Sequence, residues 1–400
     1  MTSTPLPDDL PQQILSFMHQ HATEFIQWRQ DIHHHPELGF EEHRTSELVA
    51  DKLQAWGYEV SRGLGGTGVV GQLRRGSGRR ALGLRADMDA LPIVEQTGLP
   101  YASSTPGIMH ACGHDGHTAI LLAAAQHLAQ HGNFSGTLNV IFQPAEESLG
   151  GAERMLADGL FTRFPCDRIY ALHNLPTVPK GRFLFRDGPS MASSDYATVT
   201  LTGRGGHGAK PHQSIDPVVA AASIVLALQT IVSRNADPNE LAIVTVGAIH
   251  AGKANNVIPH TAVMELSLRA MSAATRALIE RRVRDIVQAQ AQSFDVTADI
   301  VFERGYPVVM NDPAASALAR TVGRELVGPD HVAESEFRSA SDDFAFMLEQ
   351  VPGAYLWIGN GAGDEYGSVL NHNPDYDFND AILPTAAAYW SLLAQRYLHD

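Results

Sequence analysis

The sequence predicts an α/β fold in two parts: a domain with a central, mostly parallel sheet between helices, and inserted into it a smaller α+β unit of ferredoxin-like order. Three observations carry that expectation. Strand-like and helix-like apolar segments alternate through about the first 175 residues. A β-α-β-β-α-β succession follows, and helical periodicity returns after it. The expected division is 1–186 with 306–400 for the larger domain and 187–305 for the insert. A chain of 400 residues has length for two domains of ordinary size, each with its own core.

From residue 10 to about 56, apolar residues recur at helical spacing: Ile14, Phe17, Phe25, Ile26 and Trp28, then Leu48, Val49, Leu53 and Trp56. His33-His34-His35-Pro36 interrupts them and reads as a surface turn, with Glu37 and Glu41 nearby. Short apolar stretches at 67–73 and 81–86 precede a long helix of small residues at 117–131 and a strand at 137–143. A helix at 151–158 and a strand at 168–172 continue the alternation. In the insert, 196–202 is a strand by its Val/Thr alternation, 217–233 an apolar helix, 242–248 and 261–269 strands, 274–293 a helix and 296–303 a strand. A helix at 314–327, a strand at 354–358 and a helix at 383–397 return to the larger domain.

Hydrophobic residues at 44% and charged residues at 18% exclude a disordered or low-complexity chain. Lys and Arg number 29 against 44 Asp and Glu, a formal charge of −15, and no concentrated basic patch offsets it. Nucleic acid and anionic membranes are therefore excluded as expected partners. No apolar run approaches the roughly 18 residues of a membrane span, and MTSTPLPDDLPQQ lacks the regions of a secretory signal, so a cytoplasmic protein is expected. Two cysteines, Cys112 and Cys166, rule out a disulfide framework; the 19 histidines stand out instead.

Five polar segments rich in metal-ligand types sit after predicted strands or before predicted helices, where open α/β sheets bind ligands. They are Arg85-Ala-Asp-Met-Asp89, His110-Ala-Cys-Gly-His-Asp-Gly-His117, Pro144-Ala-Glu-Glu147, Ala171-Leu-His-Asn174 and Asn371-His-Asn-Pro-Asp-Tyr376. Alone, Cys112 reads as a small buried residue; flanked by Gly113, His114, Asp115 and Gly116 it reads as a metal ligand feeding a helix N-terminus. Glu146 and Glu147 are adjacent and their side chains diverge, so one can bind metal while the other moves a proton. The bland account is a solvated pair capping the next helix. His173 and His372, taken singly, read as hydrogen-bonded histidines; together the segments converge on a metal site. Of Asp87 and Asp89, one carboxylate can orient a ligating histidine. His207 lies in a glycine-rich loop of the insert, with no phosphate-binding signature around it.

The segments Asp31-Ile-His-His-His-Pro-Glu-Leu-Gly-Phe-Glu-Glu42, Arg85-Ala-Asp-Met-Asp-Ala-Leu-Pro92, Met109-His-Ala-Cys-Gly-His-Asp-Gly-His-Thr118, Gln143-Pro-Ala-Glu-Glu147 and His372-Asn-Pro-Asp-Tyr-Asp-Phe378 carry a resemblance. They resemble the amidohydrolase branch of the aminoacylase-type metallopeptidases, which includes hippurate hydrolases, N-acyl-amino-acid amidohydrolases and indole-acetyl-amino-acid hydrolases. The resemblance implies a catalytic larger domain holding two divalent metal ions per subunit through Cys112, His114, Glu147, His173 and His372, with Cys112 bridging. It implies Glu146 as general base and Asp89 as orienting carboxylate; Asp87 stands where related peptidases have a ligating histidine. The insert matches the family's lid and dimerisation domain. His207 would there stabilise the oxyanion in the other subunit's site, with Asn256 and Arg269 meeting the substrate carboxylate. A homodimer or higher homo-oligomer is expected.

One departure is Ser341-Asp-Asp-Phe344, where family members commonly read Glu-Asp-Phe; Asp342 is one methylene shorter. The expected reaction is hydrolysis of the amide of an N-acyl amino acid to a carboxylic acid and an amino acid. Thiolate, imidazole and carboxylate together suit zinc, with manganese, cobalt or nickel also fitting. Three alternatives stay open on sequence alone. They are a dipeptidase or aminopeptidase using the same site, a metal-free Cys–His thiol hydrolase, and a non-catalytic protein that binds metal or amino acids.

Overall fold

The structure, a computed structural model, describes residues 6–147 and 149–399. It divides into two compact units. The first comprises the chain up to Gly188 with Met310–Glu336 and the chain from Asp342 onward, and the second comprises Pro189–Val309 with Phe337–Ser341.

The first unit is built on an eight-stranded sheet in the order Glu59–Leu64, Gly68–Arg75, Gly136–Gln143, Ala81–Asp87, Arg168–Pro176, Gly353–Gly361, Phe183–Phe185, Val332–Glu334. Its four middle strands, Gly136–Gln143, Ala81–Asp87, Arg168–Pro176 and Gly353–Gly361, are mutually parallel. They are buried at nearly every position, the continuous apolar pattern that helices on both faces require. Helix His114–His131 is buried over His114–Leu128 and packs with helices Leu383–Leu398 and Ala22–His34. Being apolar all round, it belongs inside. Because the four strands run the same way, their carboxyl ends lie at one edge, with Asp87 opposite Gln143 in register.

The second unit has strands Ser193–Thr202, Ala242–Ala251, Thr261–Ala270 and Thr297–Arg304, with helices Pro217–Thr230 and Ala273–Ser293 between them. The sheet order, Ala242–Ala251, Thr261–Ala270, Ser193–Thr202, Thr297–Arg304, is antiparallel throughout. That is the split βαβ arrangement. Asp216 and Ser272 cap the helices by accepting from Val218 N–H (2.8 Å) and Thr275 N–H (3.1 Å). The short piece 337–341 joins this unit through main-chain bonds, Arg338 N–H to Ser190 O at 3.0 Å and Ala192 N–H to Arg338 O at 2.9 Å. Side-chain periodicity carries no trace of such bonds.

Three expectations need correction. His33 and His34 are not in a surface turn but in the last turn of helix Ala22–His34, and His33 is fully buried. The strand expected at 168–172 runs to Pro176, so His173 lies within it. The apolar run Pro217–Asn235 is 19 residues long with mean hydropathy 1.6, enough by length and composition to cross a membrane, against the expectation that no run approaches that length. Its Ala220, Ile224 and Leu228 are buried in the second unit's own core.

Candidate metal centre

The cluster forms where the strand ends of the first unit meet the start of helix His114–His131. Cys112 and His114 straddle Gly113, whose φ of +93° turns the chain into that helix. Glu146 and Glu147 follow strand Gly136–Gln143 after a turn in which Ala145 has φ +52°. Glu42 holds that turn by accepting the Ala145 N–H at 2.8 Å and the Thr67 hydroxyl at 2.5 Å. His372 has φ +64°; its N–H donates to Ala111 O at 2.7 Å, and the Asn371 amide donates to Cys112 O at 2.9 Å.

The donor atoms of Cys112, His114 and His173 lie within 4.8 Å of one another, as do those of Cys112, Glu147 and His372, and those of His114, Glu146 and Glu147. Cys112, His114 and Glu147 each belong to two of these groups. His173 Nε2 is 3.5 Å from Cys112 Sγ and His372 Nε2 is 3.1 Å from Glu147 Oε1. All five residues expected as ligands therefore converge.

Further contacts orient them. His114 Nδ1 is 3.1 Å from Asp89 Oδ1, while the other Asp89 oxygen accepts the Glu147 N–H at 2.9 Å, so one carboxylate aligns two donors. His173 Nδ1 donates to Asn174 O at 2.6 Å, which leaves its Nε2 lone pair toward the sulfur. Asp87 pairs with Arg85 at 2.5 Å and with His117 Nδ1 at 2.6 Å; its nearer oxygen is 3.9 Å from His114 Nε2.

The residues fit a cation. His114 Nε2 is buried without a hydrogen-bond partner among the described residues, a state costing about 1–3 kcal/mol unless something binds the atom. Burial, joined by the Glu147 charge, pushes the Cys112 thiol up, and hydrogen bonds to Cys112 and Glu147 raise His372 to about 10. Burial keeps His173 well below its ordinary value, neutral and ligand-competent. A cation would displace the protons that Cys112 and His372 otherwise hold. The raised thiol is the reverse of what a nucleophilic cysteine needs, which argues against the metal-free thiol hydrolase.

Glu146 is buried, and burial first, then Asp342, Glu147 and Asp343, raises its pKa well above the carboxylate range. It is not a solvated helix cap: helix Gly151–Ala157 begins at Gly150 with no side-chain cap. Behind it, Arg85 donates to Gln143 Oε1 at 2.8 Å and to Asp342 and Asp343 at 3.2 Å each; Asp342 also accepts the Phe344 N–H at 2.8 Å. The residue that stands where the family commonly has Glu is thus tied down through one oxygen, Oδ1, by charge and by main chain.

His207, Asn256 and Arg269 stand in the second unit. His207 is exposed, on a two-residue strand paired with Val257–Ile258, and Asn256 O accepts the Gly208 N–H at 2.8 Å, so these two are neighbours. His207 Nδ1 accepts the Ala209 N–H at 3.1 Å, which places the neutral ring's proton on Nε2 as a donor. Arg269 Nη1 donates to Ser341 Oγ at 2.8 Å.

Sequence reasoning passed over Arg29 and the roles of His33 and Asp115. Asp115, next to His114, lies 2.8 Å from His33 Nδ1 and 3.4 Å from Arg29 Nη1. Arg29 also donates to Asp377 at 3.0 Å and Asp380 at 2.7 Å, in the segment that follows His372. The signal was present: Phe25, Trp28, Arg29, Ile32 and His33 form one buried stripe at helical spacing.

This fold, with a thiolate, imidazole and carboxylate cluster at its strand ends and a buried acid beside it, defines a hydrolase of the metallopeptidase kind. The chain belongs to Peptidase family M20/M25/M40, whose pattern it matches over residues 83–396. It is 46% identical over 377 residues to the hippurate hydrolase of Campylobacter jejuni, covering 94% of this chain and 97% of that protein. It is 36% identical over 371 residues to the N-acetyl-L-cysteine deacetylase of Bacillus subtilis, covering 92% and 87%. The crystal structure of the Bacillus subtilis YXEP protein, a dinuclear metal binding peptidase from the same family, superposes with a TM-score of 0.82 at 32% identity, covering 95% and 99%.

Proposed function

We propose that the protein is an amidohydrolase that cleaves N-acyl amino acids, hippurate among them, to a carboxylic acid and a free amino acid. The observation that carries the reading is the convergence of five donor residues around an unpaired, buried His114 Nε2, beside a buried Glu146. Cys112, His114, Glu147, His173 and His372 would hold two divalent cations, manganese or zinc. Such cations polarise the amide carbonyl and lower the pKa of a bound water.

The remaining work falls to the chain. Glu146, whose raised pKa makes its ionised carboxylate the stronger base, takes in that form the proton of the attacking water and delivers it to the leaving nitrogen. Asp89 keeps His114 Nε2 turned to the cluster. His207, with Nε2–H as donor, supplies an oxyanion contact, and Asn256 with Arg269 receives the substrate carboxylate. We assign the second unit the part of a lid and dimer surface, and the enzyme a cytoplasmic setting.

Metal-depleted protein, with each divalent metal added back, is to be assayed on N-benzoyl, N-acetyl and long-chain N-acyl amino acids and on dipeptides. The N-acyl compounds should turn over only after metal is restored; turnover of dipeptides alone would replace this reading with a dipeptidase. Glu146→Gln should lower the rate by about 10²–10⁴ with metal content unchanged. Loss of metal instead would mean that the two glutamates exchange roles.

A further inference from the structure

We propose a second metal site, separate from the cluster at the strand ends, in which His127 and His131 together chelate one late first-row divalent cation such as zinc. The two histidines are four residues apart in helix His114–His131, the spacing that puts two imidazoles on one helix face and that helical zinc sites use. At a rise of about 1.5 Å per residue, His127 lies roughly 20 Å along this helix from His114, so the cation could not be shared with the cluster.

The ring centroids of His127 and His131 are 5.7 Å apart. Two imidazoles bound to one tetrahedral cation through bonds of about 2.0–2.1 Å place their centroids on the order of 5 Å apart, a difference that small side-chain rotations close. Both rings line a pocket of about 540 Å³, shared with Leu10, Gln13, Phe17 and Gln20 of helix Leu10–Gln20. Phe17 meets both imidazoles edge to face, at 4.9 and 5.1 Å between centroids, and so restrains their planes.

His127 supplies an independent observation. It is 4% exposed, and its Nδ1 is buried without a hydrogen-bond partner among the described residues. Native proteins rarely leave such an atom unpaired. Burial, with His131 beside it, lowers its pKa to about 4, so the ring is neutral near pH 7, as a ligand must be. His131 is exposed and completes the pair from the solvent side; the Gln13 and Gln20 amides and water can fill the remaining positions. A donor set of two imidazoles without thiolate or carboxylate favours zinc, copper or nickel over manganese and magnesium.

The test is equilibrium dialysis of the holoenzyme against micromolar zinc, with bound metal counted by mass spectrometry, for wild type, His131→Ala and His127→Gln. Wild type should retain one more zinc per chain than either variant, while turnover of N-benzoylglycine stays the same in all three. Equal zinc in wild type and a His131→Ala protein whose thermal melt shows it folded would overturn the proposal. So would loss of turnover together with the zinc, because the histidines would then act through the catalytic cluster. Since His131 is exposed, that variant decides the matter even if His127→Gln fails to fold.

Discussion

Gly113 stands between Cys112 and His114 with φ +93°, and a Cβ there would lie 2.3 Å from Asn174 Oδ1 and 2.6 Å from Tyr376 Oη. Asn174 and Tyr376 are themselves joined at 2.6 Å and sit beside two other ligand-bearing segments. Gly113→Ala should therefore push Cys112 and His114 out of line, at a backbone cost of about 1–3 kcal/mol and with a marked loss of metal affinity. Metal competition against a chromogenic chelator would measure it; wild-type affinity would show that the close packing is not what sets the ligands. At this scale the ligands were legible because cysteine, histidine and glutamate crowd into short polar segments. Glu42 was legible only as part of a motif, since nothing in its neighbourhood announces that it fastens the turn before Glu146. His33 was misread because a run of three histidines before a proline looks solvated, whereas only the member on the Phe25 stripe is buried.

Helix Ala22–His34 acts as a clamp on two segments of the centre. Through His33 and Arg29 it grips Asp115, just after His114, and Asp377, five residues beyond His372. Burial alone would lower the His33 pKa, but its hydrogen bonds to the accepting carboxylates of Asp115 and Glu95 prevail and raise it to about 9. A histidine with a raised folded-state pKa stabilises fully below its unfolded value near 6.5 and ceases to do so as pH climbs through the folded one. Wild-type stability should consequently decline between about pH 6.5 and 9, by an amount on the order of 3 kcal/mol, and His33→Gln should flatten that decline. Urea melts across this range would show it; parallel pH curves for the two proteins would remove His33 from the linkage. Element types were mostly readable, because each strand of the second unit alternates and each middle strand of the first is apolar throughout. Strand Glu59–Leu64 was missed since, at the sheet edge, only Leu64 is buried and no apolar run or strict alternation marks it.

At the scale of the molecule, the two large hydrophobic cores among the described residues are separate, one in each compact unit, with a small further cluster of Met109, Ala111 and Tyr376 in the first. The cluster belongs wholly to the first. Cations that bind only the folded form stabilise by mass action, so chelation should weaken the first unit and spare the second. Hydrogen exchange after chelation should quicken in 110–117, 144–147 and 371–376 and stay constant in 193–202 and 261–270. Uniform acceleration would mean that the units do not unfold separately. The ferredoxin-like order of the insert was readable from succession alone, whereas the return of 337–341 to the second unit rests on main-chain bonds that leave no imprint on residue type.

The donors are scattered from Cys112 to His372, with the entire second unit strung between His173 and the last of them. Chains leave the ribosome from the amino end and domains fold as they emerge. A nascent chain of this protein can thus complete its inserted unit while the cation cage still lacks a wall, and it gains the chemistry only once His372 has followed that unit out of the ribosome.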